Sequence, residues 1–261
     1  MLAVLSPAKT LDLTTPIPPG MTTEARFAAE AAKLAKAAAK LRPSALRKLM
    51  HISESLAALN AERFCAFEAE TPGTARPAIR TFDGDVYAGF QGPAMDAPTV
   101  EFAQDHVRIL SGLYGIIRPL DLIQPYRLEM GTKLSVGRTR NLYDFWGGRI
   151  GRALADDLAG HDDPTLINLA SVEYFSSVDA SRLPGRVLSI DFRDTDARKG
   201  ASGALRFNTF VAKKARGSMA RYLCEQRLDR PEGLKDFAMD DYAFDARRSD
   251  ADRWVFVRTK N

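Results

Sequence analysis

Two polar clusters in this chain stand directly behind apolar runs that read as strands. Ser6, Lys9 and Thr10 follow Leu2-Ala3-Val4-Leu5, and Asn168, Ser171, Glu173 and Tyr174 follow Leu166-Ile167. Open α/β sheets gather reactive groups at the carboxyl ends of their strands, so these residues are placed to line one pocket. Arg127, Glu129 and Lys133 lie in a third stretch, LSGLYGIIRPLDLIQPYRLEMGTK at 110–133. Its glycines let backbone approach a partner closely, and its prolines fix turns. Lys9, Glu129, Lys133, Asn168 and Glu173 form the candidate catalytic set around one cleft, with Glu129 as a general acid for an enzyme acting on a nucleotide or on a base in DNA. The structural alternative is that Ser171 caps the next helix, Lys9 pairs with a carboxylate, and Glu129 pairs with Arg127 or Lys133.

Other chemistries lack their residues. The histidines, His51, His106 and His161, are scattered singly, and Cys65 and Cys224 form no Cys-x-x-Cys pair or Cys/His cluster. No disulfide framework, metal site or cofactor is expected, and purified protein should carry no stoichiometric zinc or iron. Arg63-Phe64-Cys65-Ala66-Phe67 is an apolar setting that reads as a buried structural thiol rather than a peroxidase nucleophile. The pattern fits a reducing compartment.

Charge singles out one further segment. Lys/Arg exceed Asp/Glu by four overall, yet residues 1–110 balance at twelve of each. Residues 201–227 carry Arg206, Lys213, Lys214, Arg216, Arg221 and Arg227 against Glu225 alone. At about 100° per residue Lys213, Lys214, Arg216, Arg221 and Arg227 share one helical face, opposite an apolar stripe that includes Ala215, Met219 and Leu223. That face suits an anionic partner, though cations on a helix also serve as a plain solvated surface. Gly217, set among them, is explained by close approach of a backbone or phosphate. Gly112-Leu113-Tyr114-Gly115 reads as a hairpin between short helices that offers backbone N–H groups to phosphate, or as a turn between strand and helix.

The elements that must position these groups are legible in outline. Leu2–Leu5 is a buried strand, Phe27, Ala31, Leu34, Ala38 and Leu41 mark one stripe of a helix, Pro43 opens a helix to Met50, and Ser53 caps another with Leu56, Leu59, Phe64 and Phe67 inward. Asp83-Gly84 suggests a turn, strand-like runs follow at 107–110, 165–169, 186–192 and 254–258, and helices lie near 144–159 and 209–227. With 261 residues, 45% of them hydrophobic, and no repeat or linker, the expectation is a single compact mixed α/β (α+β) domain over 1–261 with a helix-rich N-terminal third. No apolar stretch reaches transmembrane length and none reads as a signal-peptide core, which points to the cytoplasm and to no membrane partner.

Several blocks, in one order, resemble the YaaA family: SPAKT at 6–10, FDGDVYAG at 82–89, LSGLYGIIRPLDLIQPYRLEMGTKL at 110–134, NLYDFWG at 141–147, INLASVEYF at 167–175, AKKARGSMARY at 212–222 and WVFVR at 254–258. The resemblance implies a peroxide-stress protein that limits damage from unincorporated iron, with a mixed sheet and a helix-hairpin-helix element beside a basic groove that binds DNA. Carried onto this chain, the DNA-binding residues are Lys213, Lys214, Arg216, Arg221, Gly112, Gly115, Arg118, Arg127 and Lys133. The partner is double-stranded or distorted DNA, held by phosphate and shape with little sequence preference, and no obligate protein partner is implied. The chain departs from the pattern between Arg193 and Phe207, where no contact is carried over.

Overall fold

A computed structural model of the chain describes residues 1–196 and 205–260, so most of the departing loop lies outside the described residues. Strand β1 (Leu2–Leu5) is wholly buried, and β2 (Thr10–Leu11) precedes the Pro-rich stretch. Helix α1 (Ala28–Ala39) buries Ala31, Leu34, Ala35 and Ala38 along one stripe. Helix α2 (Pro43–Met50) begins on a proline, whose fixed φ and missing N–H suit a first turn. Three residues later Ser53 caps α3 (Glu54–Cys65), its Oγ accepting from the Leu56 N–H; Leu59 faces outward rather than inward.

Short elements follow: β3 (Arg76–Pro77), α4 (Ala78–Thr81), β4 (Phe82–Asp83) and α5 (Asp85–Phe90). The Asp83-Gly84 pair is therefore a joint between strand and helix, with Asp85 already in the helix. Helix α6 (Ala97–His106), capped by Asp96, runs directly into β5 (Val107–Ser111), and β6 (Gly115–Ile117) folds back on it. After β7 (Leu122–Ile123) the expected helix at 144–159 is two, α7 (Leu142–Trp146) and α8 (Arg149–Leu158), divided at Gly147 with φ 48°. The chain ends with β8 (Leu166–Asn168), α9 (Val172–Phe175), β9 (Val187–Asp196), α10 (Thr209–Glu225), β10 (Tyr242–Phe244) and β11 (Arg253–Lys260).

Seven strands make one sheet in the order β10-β11-β9-β8-β1-β5-β6. The five inner strands are mutually parallel, and β10 and β6 are antiparallel edges. Parallel strands covered on both faces are apolar without alternation, as Leu2-Ala3-Val4-Leu5 is. Helices α5, α6 and α10 pack together, and α10 also meets β1 and β9. The expected mixed α/β fold is thus present, and among the described residues no helix is long and apolar enough to cross a membrane.

The connectivity locates a crevice. From β1 the chain adds β5 on one side, then β8, β9 and β11 on the other, so strand order reverses between β1 and β8. Open parallel sheets bind ligands outside the carboxyl ends of the strands at such a reversal. Ser6 and Ser171 sit there.

Candidate functional site

At the reversal the two strand ends are tied together. Ser6 Oγ accepts from the Ser171 N–H at 2.9 Å, and the Tyr87 hydroxyl donates to the Ser6 carbonyl at 3.2 Å. Asn168 Oδ1 accepts from the Ala170 N–H at 3.0 Å, and Ser171 Oγ accepts from the Tyr174 N–H, capping α9. Glu173 Oε1 accepts from the Gly131 N–H at 2.9 Å, which fixes the 126–133 loop against α9. Glu129 Oε1 accepts from Arg127 Nη2 at 3.0 Å and pairs with Lys9 Nζ at 3.2 Å, whereas its Oε2 is buried and accepts nothing among the described residues. Beside them Tyr87, Tyr126 and Tyr174 are buried, and burial pushes all three phenols well above their ordinary range.

The candidate catalytic residues therefore meet only in part. Lys9 and Glu129 form an ion pair, Glu173 grips the same loop two residues on, Lys133 is exposed, and Asn168 faces a neighbouring cleft. The capping role of Ser171 and the carboxylate partner of Lys9 are both present, and Glu129 pairs with Arg127 but takes Lys9 in place of Lys133.

The expected phosphate hairpin is corrected. Gly112-Leu113-Tyr114-Gly115 joins strand β5 to strand β6 and is buried throughout, so it is not a link between helices and its N–H groups do not face solvent. A Cβ on Gly112 would lie 2.2 Å from the Leu128 carbonyl oxygen, and one on Gly115, at φ +69°, would lie 2.7 Å from the Trp146 ring. Both glycines serve packing. Arg118 is held by Asp121 and the Glu24 carbonyl.

On the basic face of α10, three of the cations meet nearby carboxylates. Lys213 lies 3.7 Å from Asp85, Lys214 2.8 Å from Asp240, and Arg221 2.6 Å from Glu225, with Gln91 also bound. Arg227 lies past the helix end, over the Phe102 ring. Gly217 is not reserved for phosphate: a Cβ there would come within 1.7 Å of the Val86 carbonyl oxygen, and one on Gly89 within 2.1 Å of that of Lys214. The two glycines let α5 and α10 cross with their backbones in contact. Arg216, like Arg227, has no ion pair among the described residues, and its half-buried side chain lines a cleft of about 590 Å³.

That cleft was not expected from the sequence. It lies beyond the end of β8, where β9 runs on and presents Ser189, Asp191 and Arg193. Their spacing of two, alternating with buried Leu188, Ile190 and Phe192, is a one-face strand pattern that could have revealed it.

A second basic surface was also missed. Residues 40–53 contain Lys40, Arg42, Arg47 and Lys48 and no carboxylate, and all four cations are exposed without an ion pair among the described residues. They flank α2, which packs against α3 across the turn His51-Ile52-Ser53. The α2 amino end has no side-chain cap and no acidic residue in its first turn, so its dipole favours an anion. Balanced charge over 1–110 concealed this local excess.

Two further expectations change. Cys65 is exposed rather than buried, and Cys224 is the buried thiol, which burial pushes up to about 12. His106 and His161 are not isolated: their rings meet edge to face at 4.8 Å. Among the described residues no group of three or more His, Cys, Asp or Glu is placed to hold a metal ion.

Residues 1–248 match the family model described as peroxide stress protein YaaA. The chain is 52% identical to a UPF0246 protein of Rhizorhabdus wittichii over the full length of both. It is 50% identical to one from Caulobacter vibrioides across 99% of each chain, and 48% identical to one from Paracidovorax citrulli across 99% of this chain and 98% of the relative. By matches of this extent, the chain belongs to the peroxide stress protein YaaA family.

Proposed function

We propose that this family member binds DNA through phosphate and duplex shape, with little sequence preference, and thereby limits oxidative, iron-dependent damage to it. The observation that carries the reading is the α2–α3 pair, where Arg42, Arg47 and Lys48 are exposed, without an ion pair among the described residues, around a helix start with no side-chain cap. A cation already held by an internal carboxylate must break that pair to meet a phosphate, whereas an unpaired exposed one exchanges only solvent and counterions. The α2 surface is therefore a better phosphate site than α10.

Fluorescence anisotropy of a labelled duplex across a salt series tests this. Arg47→Glu with Lys48→Glu should weaken binding on unrelated sequences and flatten the log–log salt slope by about two units, near 0.9 per lost phosphate contact. Lys213→Glu with Lys214→Glu changes net charge equally and should have a much smaller effect. Equal losses from both pairs, or no duplex binding by the unaltered protein, would refute the assignment.

A further inference from the structure

The cleft beyond the end of β8 has the chemistry of a ligand site that the DNA surface does not use. At about 590 Å³ it falls within the range of small-molecule pockets. Among the described residues its charged lining is three arginines, Arg193, Arg216 and Arg253, against one carboxylate, Asp191. Both oxygens of Asp191 accept from Arg193 Nε at 2.9 Å, so this carboxylate is already bound on one side of the cleft.

Arg216 is the decisive group. Its Nε is buried and has no hydrogen-bond partner among the described residues, and burial draws its guanidinium below the ordinary range, opposed only by the field of Asp191. A buried guanidinium N–H without an acceptor is unfavourable, and an entering anion would supply one. The planar fork of an arginine suits the oxygens of a phosphate. Three arginines against one carboxylate repel a metal cation.

The remaining walls call for more than a bare anion. Phe175 lines the cleft, and Phe207 is 48% exposed with the Arg193 guanidinium 5.2 Å from its ring centroid. Val172, 84% exposed, also lines it, so two of the six exposed large hydrophobic side chains among the described residues belong to this one feature. An exposed aromatic ring beside arginines is a stacking platform for a heterocycle. Asn168 spends its Oδ1 on the Ala170 N–H, and its amide nitrogen has no protein acceptor among the described residues, which leaves a donor for a ring edge or a phosphate.

We propose that this cleft binds a mononucleotide unit, with the phosphate on Arg216 and the base stacked against Phe207. A free nucleotide and an unpaired nucleotide of a DNA strand present the same chemistry, and the test separates them. Isothermal titration with dAMP and dTMP should show saturable binding at one site, with deoxyadenosine and inorganic phosphate each binding at least tenfold more weakly. Arg216→Gln should weaken nucleotide binding about tenfold or more, as loss of a charged hydrogen bond does. Arg216→Lys should recover only part of this, because it restores charge without the fork. Phe207→Ala, on the surface and not at risk of unfolding the core, should weaken binding about fivefold or more.

A duplex carrying one extrahelical 2-aminopurine supplies the second arm. Fluorescence quenching that Arg216→Gln abolishes identifies a strand nucleotide as the occupant, and binding of free nucleotide without quenching identifies the free form. Absence of binding in both arms, inorganic phosphate binding as tightly as dAMP, or unaltered affinity in Arg216→Gln and Phe207→Ala would overturn the proposal. Arg47→Glu with Lys48→Glu should leave dAMP binding intact, so failure of the DNA surface is distinguishable from failure of this site.

Discussion

At the scale of single residues, environment decides what a side chain can do. Cys65 and Cys224 are chemically identical in the sequence, yet one ends a surface helix and the other is enclosed in the core. The thiolate is the reactive form, and a thiol raised to about 12 by burial stays protonated at neutral pH. An aromatic disulfide reagent should therefore titrate one thiol per native chain and two in denaturant. Two native thiols would mean that α10 opens on the timescale of the assay. The same contrast separates Arg216 from Lys213, Lys214 and Arg221: all are cations of one helix, but three meet carboxylates brought from α5, α10 itself and the turn at Asp240. Asp85 and Asp240 are far away in sequence and invisible to a helical wheel, and so the wheel overstated the free charge.

Among the elements, the crossing of α5 and α10 most constrains the cation-bearing helix. Gly217→Ala would add about 1 kcal/mol of helix propensity in an isolated helix. Here the added methyl would collide with the Val86 carbonyl, so the helices must separate, and overpacking of this kind costs about 1–3 kcal/mol. Gly217→Ala should thus lower the denaturation midpoint, measured by urea titration followed by circular dichroism, and an unchanged or raised midpoint would contradict the close crossing. Helix and strand positions were largely readable because hydrophobic period and capping residues are local: Ser53 and Pro43 mark their helices, and β1, β5, β8, β9 and β11 coincide with the apolar runs. The Gly112–Gly115 turn was misread because Gly-x-x-Gly specifies a reversal of chain direction but not what it connects.

For the molecule as a whole, the paired histidines tie stability to pH. Burial, with added repulsion from the amino terminus, His106 and Arg108, lowers His161 to about 4. Burial lowers His106 as well. The unfolded chain takes up these protons near pH 6.5 and the folded chain does so only at lower pH, so between about 4 and 6.5 the unfolded state binds more protons. Stability is accordingly full above pH 6.5 and declines as pH falls through that window. The depressed carboxylates Asp157 and Asp163 act with the same sign but below about pH 4, nearer their own unfolded value. The melting temperature should fall between pH 7 and pH 4.5, and His161→Gln should reduce that fall by about 2–4 °C. An identical pH profile in the variant would show that His161 titrates normally.

By itself the sequence determined the family, the mixed α/β class and most elements, because order of motifs, hydrophobic period and caps are written along the chain. It also named the strand-end groups Ser6, Lys9, Asn168, Ser171 and Glu173, since a polar cluster behind an apolar run is a local signal. Only the tertiary structure decided which of these meet. The reversal of strand order between β1 and β8 brings Ser6 to Ser171, and β9 outrunning β8 opens the cleft that Arg216 enters from α10. Pairing across 165 residues, and the neutralising of one basic face while another stays free, depend on distances in space that the order of residues along the chain does not contain.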